Sequence, residues 1–458
     1  MRLLLLLFLI HCSLHAKVPP AQPNFILIMA DNLGYGDIGP FGSRLHRTPN
    51  LDRMAREGRR LTSFYSASGV CTPSRAALMT GCYPRRVGLD WTLEDGHVLR
   101  PVSPNGLHPN EITIAEALKK AGYATACIGK WHLGDQPEFL PTRQGFDYYL
   151  GLPYSDDMTH ATGQRIGERL RGNQWPPLPW MENNKVIEAP ANRNLMTQRE
   201  TAAALKFIAA NKNNPFFLYL PHNMPGSSRQ PFASEAFRGQ SRNGAWGDAV
   251  EELDWAAGQI FDALKKHGID ERTLVIWTSD NGAPRRKPAQ GSNAPLGGWG
   301  YTTAEGGMRV PALVRWPNFI PAGSVSDELC TLMDLHPTFA KLASAQLPER
   351  KRDGQNIWPV WSARNAKSPH DHFFYYHTHT LQAVRDTRWK LVLGQNPKLY
   401  DLKTDSAEKT NLAAKHPEII QRLQTAAARA TAELGSGEQQ GLHVRPVGRA
   451  TKPTPRIR

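Results

Sequence analysis

The amino-acid sequence predicts an α/β protein: a large, mainly parallel sheet flanked by helices, with a smaller C-terminal α+β domain that contains a short antiparallel sheet. The first observation is length, because 458 residues suffice for one large domain and a smaller one. The second is that short, continuously apolar runs typical of buried strands alternate with helical segments. The third is a change after about residue 365 to closely spaced short strands.

The chain begins with a segment typical of a secretory signal. Arg2 precedes an apolar run over residues 3–10, and residues 13–16 offer a cleavage site. The run is too short to span a bilayer, and no later segment is long enough. Cys12 suggests a lipoprotein, but His11 before it is not the small residue that such sites need. We therefore expect residues 1–16 to be a signal peptide and the protein to be exported, either to the periplasm or as a secreted protein.

The rest of the chain is predicted to form a large α/β domain over residues 17–365, a small domain over residues 366–436 and a basic tail over residues 437–458. The net charge of +14 favours an anionic substrate or surface, although part of it lies in the Pro-interrupted tail, which we expect to be disordered. Only four cysteines follow the signal, so this is not a disulfide scaffold. The sequence has no internal repeat, nucleotide-binding glycine loop or nucleic-acid motif, and we expect no nucleic-acid partner.

Four apolar runs in the large domain each end directly before polar side chains. The runs cover residues 25–30, 123–128, 216–220 and 274–278, and the polar residues that follow them are Asp31, Asn32, Lys130, His132, His222, Asp280 and Asn281. A helix with a capping box (Thr113, Glu116) and an amphipathic helix over residues 250–264 lie between strands. Because parallel sheets bind ligands beyond the carboxyl ends of their strands, these side chains are expected to converge at one edge.

Two carboxylates and two carboxamides at this edge form an all-oxygen ligand set. Asp31, Asn32, Asp280 and Asn281 would suit calcium or magnesium rather than zinc. Either pair alone is equally typical of a turn. Two such pairs at the ends of buried strands favour a metal site.

Residues 71–81, C-T-P-S-R-A-A-L-M-T-G, form the most specific motif in the chain. The segment resembles the signature of the type I sulfatases, C-x-P-S-R-x-x-L-x-T-G, a family of the alkaline phosphatase superfamily. In that family a formylglycine-generating enzyme oxidises the cysteine to formylglycine (3-oxoalanine). Other stretches that resemble the family are A-D-N-L-G-Y-G-D from Ala30, G-K-W-H-L-G from Gly129, S-D-N-G from Ser279, E-G-G-M-R-V-P from Glu305, and the C-terminal runs A-V-R-D-T-R-W-K-L and L-Y-D-L.

The resemblance implies a catalytic domain, a cofactor and a mechanism. It implies Ca²⁺, with Mg²⁺ less suited, held by Asp31, Asn32, modified Cys71, Asp280 and Asn281. It further implies that one hydroxyl of the hydrated aldehyde attacks sulfur and displaces the alcohol, and that the second then loses its proton to His132, so that the aldehyde re-forms and sulfate is expelled. Arg75 and Lys130 would orient the diol and neutralise sulfate oxygens, and His222 would protonate the leaving group.

Two positions depart from the family pattern. Many members have two aspartates where this chain has Asp31 and Asn32, and the loss of one negative charge should weaken cation binding. The lysine usually found five residues before E-G-G is replaced by Gly300. Its substitute in substrate binding is predicted among Arg285, Arg286 and Lys287, which would equally fit a solvated loop.

Two further groups of residues have two interpretations each. Trp175, Trp180, Asp156 and Asp157, in the Pro- and Trp-rich stretch over residues 151–194, would line a sugar site or belong to a surface excursion with ordinary packing aromatics. His377 and His379 would overhang the pocket or face solvent at a strand end, and the second is our expectation.

We therefore predict a sulfatase that acts on a sulfated small molecule or polysaccharide, such as a sulfated carbohydrate or an aryl sulfate. The alternatives are a phosphodiesterase or phosphonate monoester hydrolase of the same superfamily, which the missing lysine leaves open, and a non-catalytic anion-binding relative with unmodified Cys71. For the C-terminal domain, strands are predicted near residues 372–376, 382–385, 389–393 and 398–400, followed by a helix over residues 417–434.

Overall fold

A ten-stranded sheet forms the centre of the molecule. The computed structural model describes residues 19–159, 175–287 and 290–457, so the predicted signal peptide lies outside the described residues. The strands of this sheet are β1 (Asn24–Asp31), β2 (Arg59–Leu61), β5 (Ala124–Lys130), β6 (Tyr148–Leu152), β7 (Trp180–Glu182), β8 (Lys185–Glu188), β9 (Phe216–Pro225), β10 (Thr273–Ser279), β11 (Ala312–Arg315) and β12 (Ser324–Ser326). Their order in the sheet is β12-β2-β11-β10-β1-β9-β5-β6-β7-β8.

The five central strands, β10, β1, β9, β5 and β6, run parallel to one another. The antiparallel pairs lie towards the edges of the sheet, at β10–β11, β11–β2, β6–β7 and β7–β8. The prediction of a large, mainly parallel sheet is thus confirmed. The four predicted strands correspond to β1, β5, β9 and β10, each one to five residues longer than its apolar run.

Helices cover both faces of the sheet: α2 (Cys71–Thr80), α3 (Ile114–Lys120) and α7 (Leu335–Leu342) on one face, and α1 (Pro49–Glu57), α4 (Met196–Ala210) and α5 (Gly244–Lys266) on the other. The other helices are α6 (Glu305–Met308), α8 (Trp358–Ser362) and α9 (Pro417–Leu434). Alternate residues of β1 pack into two separate cores, with Phe25, Leu27 and Met29 against α2, α3 and α7, and Ile26, Ile28 and Ala30 against α1, α4 and α5. Burial on both faces explains why this strand has no polar alternation. The predicted capping box of α3 is present at Thr113 and Glu116.

The C-terminal domain is a four-stranded antiparallel sheet with α9 packed against it. Its strands are β14 (Phe373–His377), β15 (Thr380–Arg385), β16 (Trp389–Val392) and β17 (Lys398–Asp401). The remaining strands pair two by two: β3 (Phe64–Tyr65) with β13 (Cys330–Thr331), β18 (Gly435–Ser436) with β19 (Gln439–Gln440), and β4 (Asn105–Gly106) with β20 (Gly448–Arg449). The predicted C-terminal strands and the helix over residues 417–434 are confirmed.

A buried charged cluster joins the C-terminal sheet to the large domain. Glu305 is fully buried and accepts hydrogen bonds from Tyr65 (2.5 Å), Tyr375 (2.7 Å) and Lys390 (3.2 Å). Burial alone would raise the pKa of Glu305, but Lys390 and two neighbouring arginines outweigh burial and lower it to about 2. The charge on Glu305 therefore links the two domains, because Tyr65 belongs to the large domain and Tyr375 and Lys390 belong to the C-terminal sheet.

The basic tail is ordered along its described length, which differs from the predicted disorder. Strand β20 pairs with β4, Arg449 contacts Glu94 at 2.6 Å, and Arg445 donates to Glu111 at 2.6 Å. Charge and proline content predict disorder only while the charges have no partners, and here acidic residues far away in the sequence provide them. Among the residues that the structure describes, no helix is both long and apolar enough to cross a bilayer.

Candidate active site

The polar residues that follow the central strands converge at one edge of the sheet, as parallel topology requires. The register of β1 with β10 places Ala30 beside Ser279, so Asp31 and Asp280 leave the sheet together. Lys130 at the end of β5 and His222 within β9 lie in the same group of strands, and all four side chains are completely buried. Gly129 allows this approach, because its φ is +127° and a side chain there would collide with the carbonyl oxygen of Pro221.

Arg75 lies at the centre of the converging charges. This residue of α2 donates to Asp280 Oδ2 from Nε (3.0 Å) and from a terminal nitrogen (2.8 Å), and that same nitrogen contacts Asp31 Oδ1 at 3.0 Å. Its other terminal nitrogen donates to the main-chain oxygen of Lys130 at 2.7 Å. A buried guanidinium with four short contacts fixes two carboxylates and one strand end with respect to α2.

Lys130 supplies the second buried cation. Its Nζ donates to Asp31 Oδ1 at 2.7 Å and to Ser155 Oγ at 3.1 Å. Burial would raise the pKa of Asp31, but Lys130 and Arg75 outweigh burial and lower it. Burial and the charge of Asp31 raise the pKa of Asp280 to about 6, although Arg75 opposes the shift. The two carboxylates therefore differ in acidity, and Asp31 holds its negative charge more firmly.

Cys71 begins α2 beside these carboxylates and lines an open cavity. Its Sγ lies 3.4 Å from Asp31 Oδ1 and 3.9 Å from Asn32 Oδ1, and the residue is 5% exposed. Burial raises the pKa of the Cys71 thiol, and the charges of Asp280 and Asp31 raise it further. An unmodified thiol here would stay protonated and would be a poor nucleophile.

The oxygen atoms around Cys71 fit a hard cation. Asp31 Oδ2 and Asn281 Oδ1 are buried without a hydrogen-bond partner, although buried polar atoms are normally satisfied. Asp31, Cys71 and Asp280 offer ligand atoms that all lie within 4.8 Å of one another. Asn32 Oδ1 accepts a hydrogen bond from Asn281 Nδ2 at 2.6 Å, so both amides belong to the same group. Carboxylate and amide oxygens in this number are the ligands that calcium prefers.

The two predicted histidines have different surroundings. His132 lines the cavity, and its Nε2 contacts the carbonyl oxygen of Leu99 at 2.9 Å, which leaves the buried Nδ1 as an acceptor. Burial, with Lys130 and Arg75 nearby, lowers the pKa of His132, so its ring is neutral. His222 lies deeper and outside the cavity lining, where its Nδ1 contacts Glu200 Oε2 at 2.6 Å and its Nε2 has no partner.

The cavity above Cys71 has a volume of about 590 Å³, within the range typical of small-molecule sites. Arg285 and Arg286 line it, whereas Lys287 is exposed and does not. Tyr301, next to Gly300, lines the cavity as well. The position of the usual lysine is thus flanked by an aromatic hydroxyl and two arginines.

The structure decides between the two interpretations given for His377 and His379 and for the residues of the 151–194 stretch. His377 lines the cavity together with His97, their rings 5.3 Å apart, so the expectation that it faces solvent is wrong. The reason is that the end of β14, where His377 lies, reaches the cavity of the large domain, which a local pattern does not show. His379 packs edge-on against Trp91. Trp175 and Trp180 are core residues, as the packing interpretation predicts, whereas Asp157 lines the cavity.

Sequence reasoning missed several residues of the cavity. Ser155, His97 and Tyr301 come from loops without periodicity, and Glu200 lies on α4, twenty-two residues before its partner His222. Ser155 is the one with a local signal, since it follows β6, the strand next to β5. The carboxyl-end rule would have found it only if residues 148–152 had been predicted as a strand, and they were not.

The sheet has the fold of the alkaline phosphatase superfamily of ester hydrolases. Within that superfamily this chain belongs to the sulfatase family: the family model described as Sulfatase matches residues 23–345. A second model, described as N-sulphoglucosamine sulphohydrolase, C-terminal, matches residues 301–433. Relatives of this family are sulfuric ester hydrolases, and so is this chain.

Individual relatives agree with the family assignment. Steryl-sulfatase of Mus musculus is 38% identical over 433 residues, which cover 80% of this chain and 69% of that protein. Arylsulfatase A of Homo sapiens is 37% identical over 445 residues, covering 88% of this chain and 86% of that one. The solved structure of Ps i-CgsB in complex with k-i-k-neocarrahexaose has a TM-score of 0.78 at 30% identity and covers 92% of this chain and 95% of its own.

Proposed function

We propose that the chain hydrolyses a sulfate ester by means of a formylglycine made from Cys71 and a bound Ca²⁺. The observation that carries the proposal is the position of Cys71: first residue of α2, within the sulfatase signature, beside Asp31 and open to the cavity. A structural cysteine would be enclosed by apolar side chains, as Cys127 is in the core. Cys71 instead has carboxylate and amide oxygens around it.

The cation would be held by Asp31, Asn32, Asp280 and Asn281 together with the modified residue 71. Two buried oxygens without partners, on Asp31 and Asn281, support this assignment. When bound, Ca²⁺ would supply Lewis acidity that favours a deprotonated nucleophile. A hydrated aldehyde at residue 71 would supply one hydroxyl as that nucleophile and a second hydroxyl that can lose its proton so that the aldehyde re-forms.

The protein groups around residue 71 hold charges and protons for this chemistry. Arg75 orients the carboxylates and Lys130 places a positive charge beside Ser155, where sulfate oxygens would bind. His132 accepts a proton at Nδ1, because its Nε2 is committed to Leu99. His222, held by Glu200, is the donor for the leaving alcohol. Arg285, Arg286 and Tyr301 bind the substrate in place of the missing lysine.

The substrate is proposed to be a sulfated carbohydrate or an aryl sulfate. A cavity of about 590 Å³ accepts a group of that size, and a structural relative is solved with k-i-k-neocarrahexaose. Export to the periplasm or the medium, with oxidation of Cys71 by a formylglycine-generating enzyme on the way, completes the proposal. Part of its support is the apolar segment that opens the chain.

The central experiment replaces Cys71 and measures sulfate release together with intact mass. Cys71→Ala should abolish turnover while the melting temperature stays close to that of the parent protein, and retained turnover would refute the role of residue 71. The intact mass of the parent protein distinguishes an aldehyde from a thiol and thereby tests the non-catalytic alternative. Matched sulfate, phosphate diester and phosphonate substrates test the other hydrolase activities, since preferential cleavage of a phosphorus ester would overturn the sulfatase proposal.

A further inference from the structure

One position at which this chain departs from the sulfatase pattern, and the neighbour of the other, meet at one serine. Ser227 lies in the short loop after β9, and its Oγ accepts a hydrogen bond from Asn32 Nδ2 at 2.9 Å. The same Oγ lies 3.2 Å from the hydroxyl of Tyr301, the neighbour of Gly300. The main-chain oxygen of Ser227 accepts a hydrogen bond from Arg286. No motif in the sequence singles out this residue.

Asn32 requires an external contact that an aspartate would not. Both ends of a carboxylate are acceptors, whereas an amide has one acceptor and one donor, and a donor that faces a cation is repelled. The Oδ1 of Asn32 points towards the site, since it lies 3.9 Å from Cys71 Sγ and accepts from Asn281 Nδ2. The Nδ2 of Asn32 points away from the site, to Ser227.

Ser227 can act as an acceptor because its own proton has another destination. A serine hydroxyl carries one hydrogen, and the hydroxyl of Tyr301 is within reach to accept it. The lone pairs of Ser227 are then free for the N–H of Asn32. Gly226 fixes the loop, since its N–H donates to the main-chain oxygen of Asp31 at 3.0 Å and its φ of +73° favours glycine.

We propose that Ser227 is a positioning residue that orients the Asn32 amide with its oxygen towards the cation, and so compensates for the absent second aspartate. The inference rests on the proposed Ca²⁺ site. It predicts that the contribution of Ser227 depends on which residue occupies position 32. With a carboxylate there, no amide remains to be oriented.

The test is a double-mutant cycle read by calorimetric titration of Ca²⁺ into the full chain. The four proteins are the parent, Ser227→Ala, Asn32→Asp and the double variant, with the state of Cys71 matched by intact mass. Loss of the serine hydroxyl should weaken Ca²⁺ binding about tenfold when Asn32 is present, as expected for groups that orient metal ligands. In the Asn32→Asp background the same change should weaken it by less than about threefold.

Ser228→Ala is the matched control, because the Oγ of Ser228 donates to Asp156 at 3.1 Å and not to Asn32. Its Ca²⁺ affinity should stay within about threefold of the parent value. Should Ser227→Ala fail to fold, Tyr301→Phe carries the test, since it removes the acceptor for the serine proton and should weaken Ca²⁺ binding only when Asn32 is present.

The outcomes separate this inference from the proposed function. If the parent protein binds no Ca²⁺, the proposed cofactor itself is wrong. If the parent binds Ca²⁺ and the loss caused by Ser227→Ala is absent, or equal in both backgrounds, then the positioning role of Ser227 is overturned while the Ca²⁺ site stands.

Discussion

Arg75 provides the sharpest test of how the site is held together. Replacement by methionine keeps most of the side-chain volume but removes a buried cation that contacts Asp280 twice and Asp31 once. Lys130 stays hydrogen-bonded to Asp31 at 2.7 Å, so Asp280 is the carboxylate that loses its charged partner. Because the charge of Arg75 holds down the pKa of Asp280, which is already raised to about 6, the variant should bind a proton there near neutral pH.

The expected cost follows from these contacts. Breaking a buried ion pair by removing one partner costs about 3–5 kcal/mol, and protonation of Asp280 recovers part of that amount. The unfolding entropy of roughly 420 folded residues is about 0.9 kcal/mol per degree near the melting temperature. The melting temperature should therefore fall by about 3–5 °C, and sulfate release should be lost because the carboxylates are no longer oriented.

The measurement is a thermal melting curve of Arg75→Met in EDTA, and Lys119→Met, measured in the same way, is its control. Lys119 pairs with Asp147 at 2.6 Å on the surface, and both side chains are well exposed, so its loss should cost less than about 1 kcal/mol. An Arg75→Met protein that melts within about a degree of the parent would refute the reasoning. It would mean that the carboxylates are held by their strands alone.

Three further predictions concern the cavity, the tail and the domain junction. Arg286→Ala should raise KM for a sulfate ester about tenfold through loss of one charged hydrogen bond, whereas Lys287→Ala, outside the cavity, should leave it unchanged. Deletion of residues 444–458 removes β20, the partner of β4, which follows shortly after the cavity-lining loop of residues 95–100, and should raise KM with little change in far-UV circular dichroism. Glu305→Gln should lower the melting temperature at pH 7, and the difference from the parent should shrink as the pH falls from about 4.5 to about 2.

Each of these three has an outcome that contradicts it. If Arg286→Ala and Lys287→Ala changed KM equally, Arg286 would lie in solvent and not against the substrate. If the tail deletion left KM unchanged, the cavity-lining loop of residues 95–100 would keep its shape without β20. For Glu305 the folded-state pKa lies below the unfolded one, so its stabilisation exists above the unfolded value and is lost on acidification. A difference that persists at pH 2 would therefore point to packing rather than charge.

Much of the fold and part of the site follow from local patterns. Continuous apolar runs predicted the central strands because a strand buried on both faces permits no polar alternation, as β1 shows. The carboxyl-end rule placed Asp31, Lys130 and Asp280 at one edge before any contact was known. Residues in aperiodic loops, such as Ser227 and Tyr301, carry no comparable signal, because their position depends on the ends of other elements.

The sequence by itself determined the class of fold, the family and the group of polar residues that converges at the edge of the sheet. These properties rest on short-range regularities, namely side-chain periodicity and an eleven-residue motif, that a linear chain records directly. The tertiary structure alone decided that the basic tail is ordered, that His377 reaches the cavity and that Asn32 donates to Ser227. Each of these depends on contacts between residues far apart in the chain, and their formation is a property of packing rather than of local sequence.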